Sequence, residues 1–574
     1  VNDELDVRVR EWIARDIDPD TRAELRELLA CRRCDDPAAC RRASDELAER
    51  FDAYLTFGTA GLRGQLGAGP HRMNAVVIAH ATVALARFIG ERTSSASDGS
   101  QGIVVIAFDG REKSAYFARL AARIMVGAGF RALLSPTVAP TPVLAFAVKH
   151  LRADAGIMIT ASHNPRGDNG YKVYLGGEHG GRQLVAPFDD DIHNYMVESL
   201  ESRSARDIPT GEPETLDQSV IEAYESLTAS LVPEPIHDPR FVYTAMHGVG
   251  YATFTQVLRR AGFSVSSMTI VDEQVNPDSR FPTLPFPNPE EDGALTLACS
   301  RAREVGAELV LAHDPDADRL GVAIPDTLSQ GGYRILTGNE IGILLGSWVA
   351  ERAQQRGITV GSLACSIVSS PQLQRVATHF GYEFAWTLSG FKWISRVPNL
   401  LFGFEEALGF LVNPDVVHDK DGISAALAML SLVSELHAEG KTIDNRLAEI
   451  DDQFGMFVSD AFSVRTSHGD IAEIMHGLRT SPPHGLANVA VTSVDDYSRD
   501  VSASGSQGSY LRRADVLALW LEDGSRVMFR PSGTESKLKV YVDVCEDSAP
   551  PRERRRIALA RLNELTIATR ALVS

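Results

Sequence analysis

The chain has 574 residues, more than a single hydrophobic core organises, and its length suggests about four domains. Hydrophobic residues make up 44% and charged residues 23%, as in an ordinary globular protein. A net charge of −19 and a pI of about 5.3 argue against nucleic acid or an anionic membrane as the main partner, because a phosphate backbone needs a basic face. Small phosphorylated ligands need only a local cluster of donors.

Residues 1–50 alternate charged and apolar positions at helical spacing and are expected to form a helical lead-in. They hold three of the six cysteines, Cys31, Cys34 and Cys40. With Cys299, Cys365 and Cys545 these are too sparse for a disulfide scaffold and fit a reducing compartment. Cys31-Arg32-Arg33-Cys34 is half of a zinc pattern with no second half, so reduced structural thiols are the expectation. No apolar stretch reaches the roughly 20 residues of a membrane span, and the first residues are acidic and mixed rather than signal-like. The expectation is a soluble cytoplasmic protein.

From Gly102 the pattern changes. The run Ile103–Phe108, a helical stretch Ser114–Gly127, the run Arg131–Leu134, a helical stretch Pro142–His150 and the run Ala155–Ile159 follow in order. Short apolar runs alternating with amphipathic segments predict βα units on a buried, largely parallel sheet. The same grammar returns at Phe241–Ala245 and again at Leu363–Val368, with a helix at Pro371–Phe380 and a strand at Tyr382–Trp386. No residue-level repeat is visible, so only repeated topology is expected. The last part differs: Val527–Phe529 and Leu538–Val542 flank a polar loop, and a helix near Arg554–Ala571 closes the chain. Polar breaks at Ser202–Asp217, Pro325–Gly332 and Asp451–Gly455 place the boundaries. The fold class is therefore α/β: three topologically similar α/β domains with mixed sheets (1–215, 216–330, 331–455) plus a smaller C-terminal α+β domain (456–574), around a central cleft.

Five loops carry chemistry. Thr160-Ala161-Ser162-His163-Asn164-Pro165 follows the run ending at Ile159 and delivers a hydroxyl to the mouth of a buried strand. The ordinary reading of Ser162 is a helix cap or turn serine. A Ser-His-Asp hydrolase would need a Gly-x-Ser-x-Gly elbow, which is absent, and His163 is too close in sequence to serve as the triad base. Asp314-Pro315-Asp316-Ala317-Asp318-Arg319 follows another strand, and carboxylates at alternate positions can converge on one hard cation. An EF-hand would need Gly at Arg319 and Glu at Pro325; a phosphatase-type nucleophile loop would need Thr or Val at Asp318. A solvated acidic turn is the bland alternative. Gly58–Gly64 offers backbone amides and Arg63, without the Gly-Lys-Ser/Thr of a Walker loop. Gly403-Phe404-Glu405-Glu406-Ala407 ends an apolar run; its glutamates are either solvated or hold vicinal hydroxyls, and Lys420 in Asp419-Lys420-Asp421-Gly422 is either a surface ion pair or, with a lowered pKa, an acid/base. Arg530-Pro531-Ser532-Gly533-Thr534-Glu535 is dense in anion donors, which favours a phosphate cradle over a plain hairpin turn.

Together these loops resemble the α-D-phosphohexomutase superfamily (phosphoglucomutase/phosphomannomutase) from about Gly58 to about Tyr541. The finer motifs Gly403–Ala407 and Thr387-Leu388-Ser389-Gly390-Phe391-Lys392-Trp393 look most like the branch of phosphoglucomutase-2-type and phosphopentomutase enzymes. The resemblance implies that Ser162 is the phosphoserine, that its phosphate and Asp314, Asp316 and Asp318 bind one Mg²⁺ per chain, and that His163 belongs to the same catalytic loop. Arg63, Lys172 and Arg319 would stabilise the transferring group. Glu405 and Glu406 would contact the sugar, and Arg530, Ser532, Gly533 and Thr534 its other phosphate. Ala407 replaces a usual Ser and Gly409 a frequent His, which leaves Lys420 as the candidate general acid/base. The implied function is interconversion of hexose 1-phosphate and hexose 6-phosphate, glucose or mannose, through a phosphoserine and a bisphosphorylated sugar, with an activator of the glucose 1,6-bisphosphate type. The alternatives are a phosphopentomutase, a glucose 1,6-bisphosphate synthase, a hydrolase on the same site, and a non-enzymatic sugar-phosphate sensor. The expected partner is a phosphorylated sugar, with no nucleic acid and no membrane, in a monomer or homodimer.

Overall fold

The computed structural model describes residues 4–57, 61–93, 101–329, 331–498, 514–531 and 537–573. The chain divides into two compact units, Val1–Ile335 with Asn413–Ser431, and Leu336–Val412 with Leu432–Ser574.

The first unit opens with three helices, α1 (Glu4–Arg15), α2 (Pro19–Cys31) and α3 (Pro37–Phe51). Asp18 and Asp36 cap the second and third. Each stands before a proline and accepts the amide two residues on, at 2.9 Å. Val9, Leu25, Leu47, Phe51 and Ala68 form their shared core.

A sheet of β1 (Leu62–Gln65), β2 (Ile103–Phe108), β3 (Arg131–Leu134), β4 (Ala155–Ile159), β5 (Asp168–Leu175), β6 (Arg182–Gln183) and β7 (Glu214–Thr215) follows, in the order β1-β5-β4-β2-β3-β7 with β6 beside β5. Strands β4, β2, β3 and β7 are mutually parallel, and β5 runs antiparallel to β4 and β1. All five residues of β4 are buried, which explains its unbroken apolar run. The second sheet holds β8 (Phe241–Thr244), β9 (Met268–Ile270), β10 (Leu309–His313), β11 (Leu320–Pro325) and β12 (Tyr333–Ile335), ordered β12-β11-β10-β8-β9.

In the second unit, β13 (Ser362–Ser366), β14 (Glu383–Thr387), β15 (Leu400–Glu405) and β16 (Gly409–Leu411) are ordered β14-β13-β15-β16. The last sheet is antiparallel throughout: β17 (Met456–Arg465), β18 (Gly485–Leu486), β19 (Val489–Asp496), β20 (Leu517–Leu521), β21 (Arg526–Pro531) and β22 (Lys537–Glu546), ordered β17-β22-β21-β20-β19-β18. Arg526 is fully buried, pairs with Asp543 at 2.7 Å, and stacks over Trp386 at 4.8 Å from the ring centre, tying the two sheets of this unit together.

One topology therefore occurs three times. The cores β3-β2-β4-β5, β9-β8-β10-β11 and β14-β13-β15-β16 each place three parallel strands beside a fourth that is antiparallel. In each, the passage into the antiparallel strand carries one of the chemical loops: Ser162 after β4, Asp314–Asp318 after β10, and Glu405-Glu406 at the end of β15. Among the described residues no helix is long and apolar enough to cross a membrane.

His80 lies buried on the helix Ala75–Thr93, with Nδ1 2.8 Å from Ser199 Oγ. Burial, then Arg203 and Arg15, push its pKa down to about 4. Folded His80 is neutral where an unfolded histidine, with a pKa of about 6.5, is protonated. Stability should therefore fall as pH drops from about 6.5 to 4. Near pH 5 the proton uptake on urea unfolding should be about one smaller in His80→Gln than in the parent. Equal uptake in the two proteins would contradict the buried, neutral assignment.

Candidate active site

The loop after β4 holds Ser162 in the left-handed region, at φ 53°. A non-glycine residue stays there only when its surroundings fix it. Two networks do so. Thr160 Oγ1 accepts the Ser162 amide at 2.8 Å and donates to Asp109 Oδ2 at 2.7 Å. Asp109 Oδ1 also accepts the Ser114 hydroxyl at 2.7 Å and the Arg111 amide at 3.0 Å. Arg111, buried beside Asp109, donates to the carbonyls of Ser162 (2.5 Å), Asn164 (2.7 Å), Pro165 (2.9 Å) and Asp168 (3.2 Å). One guanidinium thus closes the loop from Ser162 to the start of β5. Asp109 and Arg111 sit at the end of β2, the parallel neighbour of β4, and their positions follow from strand order rather than from any local motif.

The Asp314–Arg319 turn meets this loop. Ser162 Oγ lies 2.9 Å from Asp314 Oδ2 and 3.1 Å from His163 Nδ1. Asp314, Asp316 and Asp318 are fully buried, and each offers an oxygen within 4.8 Å of the others. Lys172, on β5, bridges Asp316 Oδ2 at 2.7 Å and Asp318 Oδ2 at 3.0 Å. Lys420 Nζ lies 2.7 Å from Asp318 Oδ2. The Thr141 hydroxyl donates to Asp316 at 2.7 Å, and the Arg319 amide donates to Asp314 Oδ1 at 3.0 Å.

The charges are strongly coupled. Burial, then Asp316 and Asp318, push Asp314 well above the usual carboxylate range. Asp316 is held below that range: burial raises it, but Lys172 and Lys420 outweigh burial. Burial lowers Lys420, yet Asp318 and Asp419 more than reverse this and push it up. Lys420 therefore stands as a cation, not as the lysine of lowered pKa considered from its motif. Burial, then Arg319 and Arg63, keep His163 well below its ordinary value and so neutral.

The donor set fits a hard divalent cation. Asp316 Oδ1 and Asp318 Oδ1 are buried oxygens without a hydrogen-bond partner among the described residues. Three carboxylates at alternate positions leave further coordination places for phosphate oxygen and water, as Mg²⁺ prefers.

Two glycines permit these approaches. A Cβ on Gly422 would lie 2.4 Å from the Arg319 carbonyl, so only glycine lets the Lys420 segment lie against the aspartate turn. A Cβ on Gly170 would lie 2.5 Å from the Thr160 carbonyl. Asp419 and Asp421, flanking Lys420, accept the buried hydroxyls of Tyr174 at 2.8 Å and Tyr224 at 3.0 Å. Arg63 leaves β1 toward the loop and donates to Asn164 Oδ1 at 3.4 Å. Arg319 Nη1 lies 3.8 Å from Glu290.

The remaining sequence-predicted residues belong to the second unit. Glu405 Oε1 accepts the Gly390 amide at 2.6 Å. Gly390, at φ 113°, holds a conformation closed to other residues, which explains the glycine of Ser389-Gly390-Phe391-Lys392. Glu406 turns inward and accepts the hydroxyls of Ser366 and Ser369, both at 2.9 Å. Arg530 lies near the end of β21 opposite Lys539. Ser532, Gly533 and Thr534 lie outside the described residues, as do Gly58, Thr59 and Ala60.

Arg111→Ala leaves four carbonyls and one buried carboxylate without their partner, and should lower the unfolding free energy by about 3 kcal/mol in urea titration. Arg63→Ala loses a single long hydrogen bond and should cost less than about 1 kcal/mol. Equal losses would show that Arg111 does not organise the loop.

Comparison with known proteins agrees with this arrangement. Descriptions of phosphoglucomutase/phosphomannomutase domains match in order: α/β/α domain I over residues 54–202, domain II over 222–328, domain III over 337–454 and the C-terminal domain over 486–560. The chain is 45% identical over 473 residues to the probable phosphomannomutase of Haemophilus influenzae, covering 82% of this chain and 93% of that protein. It is 33% identical to the phosphopentomutase of Mus musculus, covering 95% and 91%. It is 31% identical to the phosphoglucomutase of Staphylococcus saprophyticus, covering 87% and 92%. In fold it is similar to the phosphoglucomutase/phosphomannomutase family protein of Burkholderia thailandensis, with a TM-score of 0.65 at 18% identity, covering 89% and 97%. Four domain matches and full-length relatives above 30% identity place the chain in the phosphoglucomutase/phosphomannomutase family, whose members are phosphosugar mutases.

Proposed function

We propose that the chain interconverts hexose 1-phosphate and hexose 6-phosphate, with Ser162 Oγ as the atom that gives and takes the phosphoryl group. The observation that carries this reading is the 2.9 Å approach of Ser162 Oγ to Asp314 inside a buried cluster rich in cations. The step is an in-line exchange. A sugar hydroxyl oxygen forms a bond to phosphorus as the bond from phosphorus to Ser162 Oγ breaks, giving a bisphosphorylated sugar. The reverse step on the sugar's other phosphate returns a phosphoryl group to Ser162.

The protein supplies positioning and charge rather than covalent strain. Lys172 and Lys420 pair with the aspartates of the turn that Ser162 meets, Arg319 ends that turn, and Arg63 reaches Asn164 of the serine loop. The Ser162 hydroxyl donates to Asp314, and His163 Nδ1, 3.1 Å away, is its other polar neighbour. Asp314, Asp316 and Asp318 would hold Mg²⁺ with a serine phosphate oxygen; bound there, the ion spreads the negative charge of the transferring group. We assign sugar hydroxyls to Glu405 and the non-transferring phosphate to Arg530, Ser532, Gly533 and Thr534. The inward bonds of Glu406 support a role in shaping that loop. A bisphosphate lost in mid-cycle leaves Ser162 unphosphorylated, so an activator of the glucose 1,6-bisphosphate type suits the scheme.

A second reading, pentose 1-phosphate to 5-phosphate, is favoured by the 33% identity to phosphopentomutase over 95% of this chain. One carbon of the sugar is worth only about 1–3 kcal/mol of discrimination in a pocket. Hexose phosphate is expected to be the faster substrate, and parallel rates on glucose, mannose and ribose 1-phosphates decide the order.

Ser162→Ala should reduce conversion of glucose 1-phosphate to glucose 6-phosphate to background while urea unfolding stays within about 1 kcal/mol of the parent. Appreciable turnover by this variant defeats the assignment. The parent should release inorganic phosphate far more slowly than it isomerises; comparable rates would mean a hydrolase.

A further inference from the structure

The lead-in helices hold a feature that mutase chemistry does not use. An open cleft of about 500 Å³ is lined by Arg10, Ile13, Ala14, Arg22, Arg26, Leu29, Ala30, Arg33 and Arg206. Five of these nine residues are arginines and none is acidic, in a chain whose net charge is −19.

The guanidiniums are poorly neutralised by the protein. Asp6 is shared by Arg10, Arg32 and Arg33. Arg206 donates to the carbonyls of Ala14 at 3.2 Å and Asp16 at 2.7 Å, which fixes its plane at the end of α1 without cancelling its charge. Among the described residues the Arg22 side chain donates to the Asp18 carbonyl, at 3.4 Å, and feels the charge of Asp16 without an ion pair to it. Arg26 makes no side-chain hydrogen bond or ion pair among the described residues. Ile13 and Leu29 supply an apolar wall that weakens screening beside these charges.

We propose that this cleft is a second anion site, separate from the mutase centre, for a small metabolite carrying a diphosphate group. Guanidiniums bind phosphate oxygens in pairs, and five arginines lining one cleft suit two linked phosphates better than one. The volume suits a small ligand. The acidic remainder of the chain repels a long polyanion, so the local field favours a compact one.

The test is calorimetric titration of the full chain with inorganic pyrophosphate in magnesium-free buffer. The parent should take up one equivalent more than Arg22→Ser/Arg26→Ser, or bind it at least about tenfold more tightly. Mutase activity should be unchanged in that variant. Arg41→Ser/Arg42→Ser removes the same charge from exposed positions on α3 outside the cleft, and should bind like the parent. Identical binding by the Arg22/Arg26 variant overturns the proposal, as does an equal loss in the Arg41/Arg42 control. Should the first variant misfold, Arg10→Ser/Arg26→Ser, both at exposed positions, carries the same comparison.

Discussion

Three carboxylates lie fully buried within one turn, and much of the first unit is arranged so that they can remain there. Isolated buried charges are costly, and a buried ion group persists only with good geometry and satisfied hydrogen bonds. Lys172 reaches Asp316 and Asp318 from β5, and Lys420 reaches Asp318 from a segment about a hundred residues further along the chain. Their compensation is incomplete: the carboxyl of Asp314 is pushed up, and two carboxylate oxygens have no partner among the described residues. A site fully neutralised by lysine would have no capacity left for a cation. The partial balance lets the turn fold and leaves ligand atoms available.

The serine loop meets the opposite demand. It must project a hydroxyl into this charged cluster while its own backbone holds an unfavourable conformation. Arg111 and Asp109 meet that demand by binding the loop's carbonyls and the Thr160 hydroxyl, so rigidity comes from the neighbouring strand acting together with Thr160 of the loop. Arg63 and Arg111 thus divide the work of two arginines. Arg111 spends its donors on the protein, whereas Arg63 makes one long side-chain bond among the described residues and interacts through its charge with Asp316 and Asp318.

Repetition of one sheet pattern explains why the chemical loops were readable one by one. Three of them follow an apolar run because the third strand in each core is buried, wholly in β4 and β10 and over Phe402–Phe404 in β15. Each is polar because it turns out of the sheet into an antiparallel neighbour. Thus Ile159, His313 and Glu405 mark the ends of equivalent strands without any residue-level similarity between them. The cysteine spacing led to no comparable structure: all six are free thiols, and Cys34 Sγ lies 3.4 Å from Cys40 Sγ at the junction of α2 and α3.

Local pattern by itself gave the α/β grammar, a final part of different α+β character, and Ser162 and the three aspartates as candidates, because periodicity and loop chemistry are properties of neighbouring residues; Lys172 came from the family resemblance. Tertiary structure alone decided that Arg111 holds the Ser162 loop, that Gly390 donates to Glu405, that Glu406 faces inward, and that Lys420 is a cation. Each of these depends on contacts between segments far apart in the chain. Charge state is the plainest case: the same lysine has a depressed pKa against an apolar wall and a raised one beside Asp318, and only the fold determines which surrounds it.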